Sequence, residues 1–95
     1  MDHQIEHEER ERRGAFFIER GGDRVATMTY SRLSPTLAII DHTEVDAALE
    51  GQGVGRSLLD AAVAWSREDG TRFKVTCPFA KAQFARDPSI RDVLA

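Results

Sequence analysis

The chain has 95 residues, a formal net charge of −3 and one cysteine, which fits one small core built from a layer of helix on a sheet. The acidic balance lacks the basic stripe of a nucleic-acid binder, and no run approaches the ~18 apolar residues of a membrane span. A lone cysteine excludes an internal disulfide framework and, with a charged rather than signal-like amino terminus, points to a reducing cytoplasm.

Met1 to Arg13 is dominated by charge, and Gln4 to Glu9 fits an edge strand or a helical turn equally well. His3 and His7 stand four apart, a spacing that holds metal on a helix. Two ligands on an undefined terminus make a poor site, and no metal is expected. Ala15 to Arg20 reads as a strand, followed by Gly21-Gly22-Asp23, a hairpin turn whose glycines supply positive φ. Val25, Thr27 and Thr29 alternate with Ala26, Met28 and Tyr30, the period of a second strand, which Ser34-Pro35 punctuates. Thr36 to Val45 is a third strand, and Asp46 to Gln52 a link.

Next comes helical spacing: Val54, Leu58, Leu59, Ala62, Val63 and Trp65 predict a helix from about Gly53 to Glu68, ended by Gly70. Phe73 to Thr76 is a fourth strand. Pro78 opens a second helix reaching about Arg86, since proline is tolerated in a first turn. Ile90 to Leu94 suits a last helical turn. The order β-β-β-α-β-α implies an α+β fold, with a mixed, mostly antiparallel sheet and one parallel β-α-β crossover. Residues 1–95 are expected to form one domain.

The stretch Gly51-Gln52-Gly53-Val54-Gly55-Arg56-Ser57 carries the functional signal. A strand, a link and a glycine-rich turn opening a helix leave backbone N–H groups unpaired and aimed outward, at the positive end of the helix dipole. That is an anion site. Spacing narrows the ligand. A Walker-type loop needs a glycine, four residues and Gly-Lys-Ser/Thr, but Glu50 stands five before Gly55 and Arg56 follows it. A dinucleotide fingerprint would put its third glycine at Arg56 and an acidic residue about 20 positions on, and both are missing. A glycine turn without a ligand is the plain alternative.

Glu50-Gly51-Gln52-Gly53-Val54-Gly55 resembles the acyl-CoA pyrophosphate loop of the GNAT N-acetyltransferase superfamily. His42-Thr43-Glu44-Val45 before it and Cys77-Pro78-Phe79-Ala80-Lys81 after the next strand are similar to the short, stand-alone branch of that superfamily. Together these blocks span roughly Arg13 to Leu94. Glu50 departs from the Gln or Arg that usually starts the loop, and Gln83, followed by Phe84, stands where relatives carry an aromatic residue. The resemblance implies a three-layer α/β arrangement of the predicted elements and the use of acetyl-CoA. It places the pantetheine amides on the backbone around Val45, and the pyrophosphate on the amides of Gln52, Gly53, Val54, Gly55, Arg56 and Ser57. Cys77 and Phe79 would lie near the cofactor, and the Arg56 side chain either contacts a phosphate or is simply solvated.

Transfer to an amine needs a group to accept the amine proton. His42 and Glu44 share one face of the third strand by its period of two, near the acetyl group the resemblance implies. Histidine, with an ordinary pKa of ~6.5, is chemically the better base; Glu44 needs a raised pKa or a bridging water. Each also has an ordinary structural reading. Cys77 follows a strand and opens a helix, a setting that activates thiols. Beside His42 it could accept the acetyl group; alternatively it only contacts the cofactor sulfur or protonates the leaving thiolate, and buried cysteines are commonly inert. The expected activity is acetyl-CoA-dependent N-acetylation of a primary amine, on a protein lysine, a chain terminus or a small molecule. The alternatives are a CoA-binding module without transfer and a purely structural domain.

Overall fold

Five strands form one mixed sheet in the computed structural model, which describes residues 4–95. The strands are β1 (Glu6–Arg10), β2 (Arg13–Arg20), β3 (Asp23–Ser34), β4 (Leu37–Val45) and β5 (Arg72–Val75), hydrogen-bonded in that order. Helix α1 (Val54–Asp69) connects β4 to β5, the one parallel pair; the other three pairs are antiparallel. Helix α2 (Pro78–Arg86) and a 3-10 segment, Pro88–Val93, follow β5. The crossover is the one expected. The amino-terminal segment left open between strand and turn is β1, which adds a strand ahead of the predicted order.

The core lies on one face of the sheet. Phe16, Ile18, Met28, Tyr30, Ile40 and Phe73 from the strands meet Leu58, Leu59 and Val63 of α1 and Ala80 and Phe84 of α2 in a single buried cluster. Each fully buried leucine contributes ~1.5–3 kcal/mol relative to exposure. Both helices lie on that face, and the described connections between β1 and β4 add no helix to the other. The reason is chain length between strands: Glu11-Arg12, Gly21-Gly22 and Pro35-Thr36 make the turns of the meander, and none can hold a helix. The outer face is left to Glu8, Phe17, Arg24, Thr27, Thr29, His42 and Glu44. There Arg24 lays its guanidinium 3.8 Å above the Phe17 ring and pairs with Glu8.

One irregularity decides which side chains reach which face. Tyr30 pairs with Ile40 but its neighbour Thr29 pairs with His42, so Asp41 is an extra residue, a β-bulge. Asp41 turns outward with His42 and accepts hydrogen bonds from the hydroxyls of Thr29 and Ser31. Beyond the bulge, Thr43 and Val45 take the helix side with Ile40.

His3 lies outside the described residues. His7 is on β1 and serves the core edge: its ring stacks on Phe16 at 4.1 Å and its Nε2 lies 2.7 Å from the Tyr30 hydroxyl. Burial pushes the His7 pKa below its ordinary value. Among the described residues no group of three or more His, Cys, Asp or Glu side chains could hold a metal, and no helix is long and apolar enough to cross a membrane.

Candidate functional site

The parallel ladder between β4 and β5 is short. It runs from Leu37–Arg72 to Ile40–Val75, and then the amides of Thr76 and Cys77 both donate to the Ile40 carbonyl, at 3.0 and 3.2 Å. From there β5 turns away into α2 while β4 continues to Val45. Hydrogen-bonded and non-bonded pairs alternate along an antiparallel ladder. Asp46 N donates to Val25 O at 2.8 Å, so Glu44 and His42 bond across to Thr27 and Thr29. Thr43 and Val45 therefore aim their backbone groups at the vacated side. A cleft of about 1150 Å³ fills that side.

The other end of the cleft is the head of α1. Gly53 caps the helix in the left-handed region, φ 72°, a conformation that a side chain would strain. Gly55 is required for a different reason. A Cβ there would come within 2.9 Å of the Phe79 ring, which packs across the first turn. Ser57 N donates to Gly53 O at 3.0 Å, the first closed bond of the helix. The amides of Val54, Gly55 and Arg56 precede it and have no helical acceptor. They face the cleft with the positive end of a 16-residue helix behind them.

Of the residues expected around a carrier, Val45, Gly53, Val54, Gly55, Arg56 and Phe79 line the cleft. Gln52 turns its amide back to the Ala48 carbonyl. Ser57 commits both its amide and its hydroxyl to Gly53 O, so the expected contact from its amide falls away: the helix has already begun there. The Arg56 guanidinium is held by Asp60, Gln83 and Asp87 rather than left solvated. It joins α1 to the end of α2. This contact keeps the Asp87 carboxyl at about 2, with the Ser89 hydroxyl and amide helping.

The expected chemical residues fall into two groups. His42 Nε2 lies 3.1 Å from Glu44 Oε1, both exposed on the outer face, and Glu44 reaches the cleft rim. Cys77 is on the other side of β4. It is 2% exposed, and its Sγ lies 3.2 Å from Thr43 Oγ1. The bulge at Asp41 separates them, so the thiol does not stand beside His42. Residues at the site that the sequence reading passed over are Thr27, Thr43 and Gln83 on the walls, and Arg24 and Arg86 at the rim. The vacated edge of β4 could have pointed to Thr43 through strand period; nothing local marks the others.

A family model described as GCN5-related N-acetyl-transferase matches residues 15–93. The chain belongs to this acetyltransferase family. Among curated relatives, Protein NATD1 of Bos taurus is 29% identical over 84 residues, covering 88% of this chain and 74% of its own. Among solved structures, a GCN5-like protein from Staphylococcus aureus determined by NMR is 34% identical. It superposes with a TM-score of 0.72 over 95% of this chain and 87% of its own. The ribosomal-protein-S18-alanine N-acetyltransferase of Escherichia coli, 20% identical, shares the fold with a TM-score of 0.65 over 82% of this chain and 53% of its own. The family carries out acetyl transfer and generally uses acetyl-CoA, so the chain is read as an enzyme of this class.

Proposed function

We propose that residues 1–95 act as a single cytoplasmic N-acetyltransferase domain that moves an acetyl group from acetyl-CoA to a primary amine. The observation that carries this reading is the run of unpaired amides at Val54, Gly55 and Arg56, opening onto a cleft that continues along the unpaired edge of β4. The donor set suits the carrier: three amides and a helix dipole for a diphosphate, then strand-edge groups of Thr43 and Val45 for the amides of a pantetheine arm. Phe79 and Val45 supply apolar wall. Acetyl-CoA provides the activated acyl group.

The protein's own residues divide the remaining work. His42 accepts the proton of the amine, and Glu44, bonded to His42 Nε2, orients the ring and balances its charge. Both project from the outer sheet face, so the amine arrives from that side, where no helix among the described residues restricts its size. A lysine on a protein, a chain terminus or a small amine can all reach it.

Calorimetry with coenzyme A tests the carrier site, and thiol release from acetyl-CoA over a panel of amines tests transfer. Association heat together with release that falls ~100-fold or more in His42→Ala is the expected result. Absence of heat overturns the reading. Association without release for any amine leaves a CoA-binding module, the alternative that the exposed position of the His42–Glu44 pair favours.

A further inference from the structure

A departing thiolate must gain a proton, and the chain's one tyrosine is not at the cleft to give it. Tyr30 is 1% exposed, and its hydroxyl is taken by His7 and Glu9 on the β1 side. The hydroxyl at the closed end of the cleft is Thr43. Thr43 lines the cleft just beyond the last β4–β5 pair, and its Oγ1 contacts Cys77 Sγ. Cys77 is buried behind it and is not part of the wall.

We propose that Thr43 and Cys77 form a proton relay to the leaving sulfur, an inference that rests on the acyl-CoA reading. As the carbon–nitrogen bond forms, the carbon–sulfur bond breaks and its electron pair goes to sulfur. Thr43 Oγ gives its proton to that sulfur and takes the Cys77 proton in return. The proton lost by the amine to His42 returns through solvent to the Cys77 thiolate, so the enzyme ends as it began. A threonine hydroxyl alone is too weak an acid for this step. The cysteine thiol and the departing alkyl thiol are the same functional group, so exchange between them is far closer to level than exchange with a hydroxyl. In this arrangement Cys77 is a proton source and never carries the acetyl group.

The test reads the ionisation of coenzyme A bound to the protein, by ultraviolet thiolate absorbance, in a Cys77→Ser background that removes the protein's own thiol. A hydroxyl donating to sulfur favours the thiolate. Adding Thr43→Val should therefore raise the pH of ionisation by about one unit, with CoA affinity by calorimetry changed less than about threefold. Thr43→Ala, checked by circular dichroism, replaces Thr43→Val should the latter not fold. In turnover, Thr43→Val should lower kcat ~100-fold at constant KM for acetyl-CoA, Cys77→Ser should lower it as well because a second hydroxyl is too weak an acid to replace the thiol, and Thr43→Ser should retain most activity because it keeps the bridging hydroxyl. Unchanged ionisation on loss of the Thr43 hydroxyl overturns the relay alone, as does acetylated Cys77 in mass spectra of turning-over enzyme. No association of wild type with coenzyme A overturns the acyl-CoA reading itself.

Discussion

Arg56, in the first turn of α1, holds the carboxylate of Asp87, the residue on which α2 ends. The contact fastens together the two helices that wall the cleft, and it ties that fastening to pH. Asp87 has its pKa lowered to about 2, chiefly by Arg56 and then by Ser89. In the unfolded chain the group titrates near 3.9. The folded value is the lower one, so the stabilisation is complete above about pH 4 and is lost as pH falls through about 2. Denaturation midpoints measured across that window should fall less steeply for Asp87→Asn than for wild type.

Gly55→Ala separates stability from ligand binding. Alanine in place of glycine favours a helix by up to ~1 kcal/mol, but the new Cβ would meet Phe79 Cζ at 2.9 Å and displace the ring that walls the cleft. The thermal midpoint should change little while CoA affinity by calorimetry falls ~10-fold, a loss of ~1.4 kcal/mol. Gly53→Ala should behave differently, with about 1 kcal/mol of lost stability from a left-handed residue.

The turn between β1 and β2 offers a stabilising change. Glu11 and Arg12 occupy it with φ of 52° and 71°, the geometry that twisted hairpins prefer and that ordinary side chains resist. Arg12→Gly keeps the backbone and relieves the strain. Stability should rise by about 1 kcal/mol, seen as a thermal midpoint several degrees higher.

His7 sets a second pH window. Burial against Phe16 holds its pKa below the ordinary 6.5, the attraction of Glu9 and Asp69 notwithstanding. Its contribution is complete above about pH 6.5 and is lost as pH falls through the lower folded value. Replacing the ring by His7→Phe should flatten the stability profile on the acid side of pH 6.5. Chemical denaturation at two pH values suffices to see it.

Much of this architecture was legible because local chemistry and tertiary need coincide. The Gly51–Ser57 turn announces itself through glycines, and α1 through its apolar spacing, and one end of the cleft grows from both. The segment Glu6–Arg10 carries no such signal: its residues are charged or histidine, and its strand character comes from pairing with β2. Gly14 is equally silent, although a Cβ there would overlap the Tyr30 ring at 2.2 Å. The His42–Glu44 pair follows from strand period. Its separation from Cys77 does not, because a bulge leaves no mark on period until the partner strand is known. Thr43, by contrast, shares a face with Val45 by the same period and could have been found from it.

The extra residue at Asp41 gives β4 two independent working sides. Under the proposed function, positions 42 and 44 would look toward the incoming amine, while 43 and 45 would serve the acyl carrier. On that reading, selection for a new acceptor can act on His42 and on Thr29 opposite it, neither of which lines the cleft, without disturbing the grip on the donor.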